Sequence, residues 1–485
     1  MKKILFVTSE AVPFIKTGGL ADVAGALPKY FDKKEYDVRV ILPKYLCIPE
    51  ELRAKMKFES HFYLDLGWRK QYVGILSAQY DGITYYFIDN EFYFAGNAPY
   101  NNIYEDVEKF AFFSKAVIEA LPVIDFRADI IHCHDWQTGL VAVYLKTCYQ
   151  NKAFYQNMRT VYTIHNMKFQ GRWKLKAVRD ITGLPEELFT PRGLESYGES
   201  NYLKGGILYS DRVTTVSNSY AYEIMTPNGG EGLDGVMRQC EDKVVGIVNG
   251  IDYSEYNPQN DLKISYLYST ADVVEGKRRN KQALQQELGL DCREDVMLIG
   301  IVSRLTEQKG FALVEYMLDS LLEDGRMQFA VLGTGEERYE GMFRYFAGKY
   351  PKQIAVSNRY SEEQAHRIYA SSDAFLMPSQ FEPCGLSQLI SFRYGTVPIV
   401  RETGGLKDTV AAYNEYEGTG TGFSFANYNA HEMRDTILYA LNVFRNHRDR
   451  WEEMVVRDMK LDYSWKNSAK RYEKIYDELY KESCQ

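Results

Sequence analysis

The chain has 485 residues, of which 26% are charged and 45% hydrophobic, and its net charge is −8. The acidic balance argues against a nucleic-acid binder, which carries a basic footprint, and no stretch approaches the ~20 apolar residues of a membrane span. At ~150 residues per domain the length suits about three domains, or two large α/β ones.

The opening run Ile4-Leu5-Phe6-Val7 ends at Thr8-Ser9-Glu10, too soon for a secretory core, so a cytoplasmic protein is expected. Seven cysteines, odd in number and never spaced Cys-x-x-Cys, fit a reducing compartment rather than a disulfide framework. His132-Cys133-His134-Asp135 has metal-ligand residue types, but on a strand Cys133 points away from the two histidines, and no metal is assigned.

In chain order, Ile4–Thr8 reads as a buried strand and Thr17-Gly18-Gly19-Leu20 opens a helix to about Phe31. Further strands fall at Val38–Leu42, Ala128–His132, Thr160–Ile164, Arg212–Val216 and Lys243–Val248, with a helix over about Thr138–Tyr149. Residues 49–100 alternate differently and suggest hairpins at the edge of the first domain. A second series begins with a basic helix over Val274–Leu288. Its strands fall at Val296–Val302, Phe329–Leu332, Ile354–Ser357, Ala374–Met377 and Pro398–Val400, with helices over Gly310–Glu323 and Glu362–Ser371. Alternating strands and helices predict α/β domains with doubly wound parallel sheets. The boundaries are set at 1–250, 251–462 and a terminal helix over 463–485.

The segment Thr17-Gly-Gly-Leu-Ala-Asp22 recurs as Thr403-Gly-Gly-Leu-Lys-Asp408, each time between a strand and a helix. Paired glycines let a backbone approach a ligand, and a helix N-terminus attracts anions. Two such turns facing each other would clamp an anion. No Gly-x-Gly-x-x-Gly or P-loop pattern is present, which removes the main support for a nicotinamide dehydrogenase or a P-loop nucleotidase. Without Asp-x-Asp, a familiar way of holding a divalent ion on a diphosphate is also missing. Instead, polar residues gather at strand ends. Arg304 and Lys309 come after one strand, Glu382 after another, Asp135-Trp136 and His165-Asn166 after two more. Ligands bind beyond the carboxyl ends of strands in open α/β sheets, so the two cations suit a pyrophosphate. Glu382 either caps a helix begun by Pro383 or accepts bonds from substrate hydroxyls.

The ordered set Lys16-Thr17-Gly18-Gly19-Leu20, His134-Asp135-Trp136, His165-Asn166, Asn249-Gly250-Ile251-Asp252, Ser303-Arg304-Leu305 with Lys309-Gly310, Phe381-Glu382-Pro383-Cys384-Gly385-Leu386 and Thr403-Gly404-Gly405-Leu406 resembles bacterial glycogen synthases and plant starch synthases nearly end to end. The resemblance implies a retaining glucosyltransferase of the GT-B fold: two Rossmann-like doubly wound domains facing across a cleft that holds ADP-glucose, with a C-terminal helix crossing back to the first domain. It further implies that Arg304 and Lys309, with the Thr403-Gly404-Gly405 turn, neutralise the ADP phosphates. Lys16, Gly18 and Gly19 would close on the diphosphate, and Tyr360 would stack on adenine. Glu382 would hold the glucose and Cys384, Gly385 and Leu386 would bind the donor; His165 would lie near the reacting carbon, and Asn249 would line the sugar pocket. Asp135, Asp22 and Trp136 would face the donor or acceptor, and Tyr100 the acceptor. Two departures stand out: Gln137 replaces a second histidine often found after Asp-Trp, and Ile390 stands where many other retaining GT-B families carry a second glutamate. The implied partners are ADP-glucose and an α-1,4-glucan, with no cofactor and no metal. Charge developing on a departing diphosphate would be stabilised by side chains. The absence of an obvious carboxylate pair suits a front-face displacement, with covalent catalysis as its rival.

Overall fold

The computed structural model describes residues 1–359 and 361–483. The chain forms two compact units, Met1–Gly250 with Trp465–Gln485, and Ile251–Ser464.

The first unit is built on β1 (Lys2–Val7), β2 (Tyr36–Pro43), β3 (Lys57–Leu66), β4 (Arg69–Tyr80), β5 (Ile83–Asp89), β6 (Ile130–His134), β7 (Arg159–Ile164), β8 (Arg172–Lys174), β9 (Glu195–Ser196), β10 (Glu199–Asn201), β11 (Arg212–Thr215) and β12 (Val244–Gly246). Nine of them pair in the order β12-β11-β7-β6-β1-β2-β5-β4-β3, while β8, β10 and β9 form a small separate sheet. From β12 across to β5 every pairing is parallel; β3 and β4 add an antiparallel edge. The central strands are near-continuous apolar runs because helices cover both faces, and Ile4, Leu5, Phe6 and Val7 are fully buried. The segment over 49–100 is the expected edge hairpin region. The sequence reading passes over the 21-residue helix Ile103–Val123, whose side chains fill one face of the sheet. The helix expected over Thr138–Tyr149 is irregular: a 3-10 turn Trp136–Thr138, an α-helix Gly139–Tyr144 and a π-turn Leu145–Tyr149.

The last helix, Trp465–Ser483, packs on this unit through Trp465, Tyr472 and Tyr476. The Tyr476 hydroxyl lies 2.6 Å from His132 Nδ1 on β6, and Lys2 Nζ on β1 is 2.5 Å from Asp477.

The second unit holds β13 (Met297–Val302), β14 (Met327–Leu332), β15 (Ile354–Ser357), β16 (Ala374–Met377), β17 (Val397–Arg401) and β18 (Phe423–Phe425) in the parallel order β15-β14-β13-β16-β17-β18. Helices such as Phe311–Leu322 and Glu362–Ser371 bury their apolar faces on it. Each sheet has one point where the chain reverses its direction of travel, between β1 and β6 in the first and between β13 and β16 in the second. Open α/β sheets bind ligands at that crevice.

Candidate active site

In the first unit the loops leaving β1, β6 and β7 bring together the first half of the sequence-derived residues. After β1 the chain turns through Glu10, which is 3% exposed. Its carboxylate accepts bonds from the Thr17 amide at 2.5 Å, the Thr17 hydroxyl at 2.9 Å and the Tyr100 hydroxyl at 2.9 Å. Burial pushes the Glu10 carboxyl up, and the Thr17 and Tyr100 bonds oppose that rise. Sequence reasoning missed Glu10, using it only as the end of an apolar run. The available signal was a carboxylate seven residues before the glycine turn, directly after a central strand. Glu10 fixes the entry to Gly18, which precedes the helix Gly19–Ala26 with extended backbone. A methyl group added at Gly18 would meet nothing within 4 Å. Lys16 Nζ sits 2.7 Å from Asp22, both partly exposed.

Beyond β6, Asp135 adopts φ 55° and ψ −179°, a region that strains any residue with a Cβ. The result is a half-buried carboxylate aimed back at the end of β7, where it accepts the His165 amide at 2.7 Å. Burial raises its carboxyl to about 7, against amide bonds from His165 and Asn166 that favour the charged form. His165 Nε2 lies 3.1 Å from His134 Nδ1, and burial lowers His165 to about 3, so its ring is neutral at physiological pH. Asn249 is 5% exposed and its Oδ1 has no hydrogen-bond partner among the described residues, an acceptor left for something outside the protein.

Two acceptor candidates are packed into the first unit. Trp136 presents no open ring face: it is 7% exposed, edge-to-face with Phe110 at 5.3 Å and against Tyr202 at 6.3 Å. Gly171 is pressed so close that a Cβ there would lie 2.2 Å from the indole. The Tyr100 hydroxyl is likewise turned inward, to Glu10 and to Ser9 at 2.8 Å. Gln137, which departs from the second histidine expected after Asp-Trp, is buried with Oε1 unpartnered among the described residues.

In the second unit the switch-point crevice is lined by the loops leaving β13 and β16. Arg304, just past β13, is exposed, and its guanidinium forms no ion pair among the described residues. Lys309 closes a short 3-10 turn and reaches Glu382 Oε2 at 2.6 Å, where Ser379 Oγ also donates at 3.0 Å. Glu382 is therefore no helix cap. The next helix, Ser387–Arg393, starts five residues later, and Pro383 lies outside its first turn. The Glu382 backbone carbonyl accepts the Gly405 amide at 3.1 Å. The turn Thr403-Gly404-Gly405 is packed on this loop: a Cβ at Gly404 would fall 2.1 Å from the Glu382 carbonyl oxygen, and one at Gly405 would fall 1.9 Å from that of Cys384. Gly404 has φ 44° and Gly385 φ 72°, both left-handed. Cys384 is buried at the base of the loop, and Leu386 precedes the helix. Tyr360 lies outside the described residues.

Two parallel α/β units, each gathering charged side chains at its switch point and neither using a dinucleotide glycine fingerprint, have the architecture of a GT-B glycosyltransferase. A family model described as "Starch synthase catalytic domain" matches residues 3–239, and one described as "Glycosyl transferases group 1" matches 283–455. A glycogen synthase of Lachnospira eligens is 61% identical over 479 residues, covering 99% of this chain and 100% of the relative. One from Bacillus anthracis is 49% identical over 98% of this chain and 99% of its own length. The solved catalytic domain of starch synthase IV from Arabidopsis thaliana, bound to ADP and acarbose, superposes with a TM-score of 0.89 at 32% identity, covering 99% of both chains. The chain belongs to the glycogen synthase family.

Proposed function

We propose that the enzyme transfers glucose from ADP-glucose to the non-reducing 4-OH of an α-1,4-glucan with retention of configuration. The observation that carries this reading is the second-unit crevice, where an exposed Arg304 stands beside a Lys309–Glu382 pair held by Ser379 and the Gly405 amide. Both bonds to the Glu382 carboxylate fall on Oε2, so Oε1 faces its surroundings without a hydrogen-bond partner among the described residues and suits a glucose hydroxyl. Arg304 and Lys309 offset the charge that grows on the diphosphate as the glycosidic bond breaks. Lys16 and the open Gly18 turn are assigned to donor binding. His165, held neutral, and Asn249, with its free acceptor, are assigned to the sugar. The acceptor proton passes to the departing phosphate on the same face as attack, which keeps the α configuration without a side-chain nucleophile. Asp135 then serves to hold the His165 backbone in place.

No metal takes part in this scheme, because two side-chain cations already serve the diphosphate. Among the described residues no helix is long and apolar enough to cross a membrane. The six cysteines among the described residues are all unpaired and suit a reducing cytoplasm. The test is an assay with ADP-glucose and UDP-glucose, a maltooligosaccharide acceptor and NMR of the new linkage, with and without EDTA. ADP-glucose is expected to be the better donor, an α-1,4 bond the product, and turnover to survive chelation. A β linkage, or activity lost to EDTA and restored by Mg²⁺, overturns the scheme.

A further inference from the structure

Away from the crevice, the second unit contains a cluster that the transfer reaction does not use. Helix Glu362–Ser371 places Glu362 and His366 four residues apart, on one face. Glu255, from the segment that enters the unit, completes a trio whose ligand atoms lie within 4.8 Å of one another. The two carboxylates are exposed, but the His366 side chain is 1% exposed.

The imidazole has an unusual hydrogen-bond state. His366 Nδ1 is 2.8 Å from Asp261 Oδ2, and a carboxylate partner assigns the ring proton to Nδ1. Nε2 is then a bare lone pair. It is buried and has no hydrogen-bond partner among the described residues. The acidic atom facing it, Glu255 Oε1 at 3.6 Å, is itself an acceptor. Two acceptors that face each other, one of them buried, repel unless a cation or a proton lies between them.

A positive charge already stands at the edge of this trio. Lys263 Nζ bridges the two glutamates, contacting Glu255 and lying 2.5 Å from Glu362. An ammonium, however, satisfies only the carboxylates and leaves Nε2 without a partner. The surroundings hold the histidine as metal sites hold theirs. Asp261 accepts from Nδ1 and is fixed in turn by the Tyr394 hydroxyl at 2.6 Å, while the Tyr256 ring stacks on the imidazole at 5.0 Å. A carboxylate behind a histidine raises its basicity and locks its orientation toward a metal.

We propose that Glu255, Glu362 and His366 form a binding site for a divalent cation of the zinc class, and that the cation displaces the Lys263 ammonium. One nitrogen and two carboxylate oxygens suit Zn²⁺; Mg²⁺ prefers oxygen ligands alone and retains its water. Bond lengths near 2.0–2.1 Å place tetrahedral ligands about 3.3 Å apart. The exposed glutamate side chains reach that spacing by rotation, without movement of the buried histidine. The ion would tie the segment around Glu255–Lys263 to the helix at Glu362, a clamp separate from the diphosphate cations.

Zinc titration of the chelator-stripped full chain, in competition with a chromophoric chelator, tests this directly. The expected result is one ion per chain, with at least about tenfold weaker binding in both Glu255→Gln and Glu362→Gln. Lys263→Met is expected to bind more tightly, because the competing ammonium is gone. An ion-pair cluster with no metal function would not give that opposite pair of effects. Cobalt(II) separates this site from the exposed thiols Cys148 and Cys292, since only thiolate ligands add charge-transfer absorption. His366→Gln should abolish binding; because that residue is buried, the exposed glutamate and lysine variants decide if it does not fold. No stoichiometric zinc, affinity unmoved by the glutamate variants, no gain in Lys263→Met, or a thiolate spectrum would each overturn the site.

Discussion

The two Thr-Gly-Gly-Leu turns share a sequence and a place between strand and helix, yet their glycines answer to different constraints. In the first unit Gly18 faces open space, and the turn is held from behind by the Glu10 carboxylate. In the second, Gly404 and Gly405 are pressed against the carbonyls of Glu382 and Cys384, and the turn itself holds the loop that carries Glu382. Each unit thus ties a glutamate to its glycine turn. In one the carboxylate is consumed by the tie; in the other the backbone makes the tie and the carboxylate stays available to Lys309. A repeated motif is therefore evidence of repeated geometry, while the role of each copy must be read from its surroundings.

The sharpest way to break the comparison is a single methyl group. Gly405→Ala places a Cβ 1.9 Å from the Cys384 carbonyl oxygen, and the Glu382 loop must move. We expect a loss of about 3 kcal/mol or more, with transfer nearly abolished, read by thermal unfolding and a glucosyl-transfer assay. Normal stability and activity would mean that the loop yields easily and the tie is unimportant.

Within the second crevice, Arg304 and Glu382 should separate by what they disturb. Arg304→Ala should weaken ADP by one to two decades, about 1.5–3 kcal/mol for a lost charge-assisted contact, in calorimetric titration. Glu382→Gln should leave ADP binding within a few-fold and reduce transfer by about a hundredfold. The same nucleotide loss in both variants would merge the two roles.

Acid should act through the buried histidines of the first unit. There, burial holds His165 near 3 and His132 and His134 well below their ordinary value, so all three remain neutral in the fold. The unfolded chain takes up those protons near pH ~6.5. The stability these rings contribute is complete above that pH and is lost as pH falls from about 6.5 toward 3. His165→Asn should flatten the acid limb of a stability–pH profile by up to one proton, about 1.4 kcal/mol per pH unit. An unchanged slope would show that His165 titrates equally in both states.

The mildest changes belong to the open turn. Lys16→Ala removes a partly exposed pair with Asp22 and should shift stability by less than about 1 kcal/mol while lowering transfer roughly tenfold. Gly18→Ala should stay within about 1 kcal/mol in unfolding. Any larger fall in its transfer rate would report a ligand at that backbone, the counterpart of the protein contact at Gly405.

The parallel sheets were legible because strands buried on both faces leave unbroken apolar runs. The helix Glu362–Ser371 was legible from its polar start and its period. The helix Ile103–Val123 was not, since Phe, Ala and Val on most of its faces blur the amphipathic signal. Charged residues at strand ends could be found as a group, because the crevice of a parallel sheet lies there. The burial of Trp136 and the inward hydroxyl of Tyr100 could not, because residue type says nothing of which way a ring turns. Glu10 and Asp135 show the same limit from the polar side: only the fold reveals that each carboxylate reaches a backbone amide on another loop.

The last helix gives the chain an order of assembly. Residues 251–464 are contiguous and can close their own core once they leave the ribosome, whereas the first unit waits for Trp465–Ser483. Until Tyr476 arrives, His132 on the central strand β6 lacks its hydroxyl partner, and Lys2 lacks Asp477. The segment translated first is thus the last to be finished, and a chain truncated before residue 465 would keep a complete second unit and an N-terminal sheet with one flank still bare.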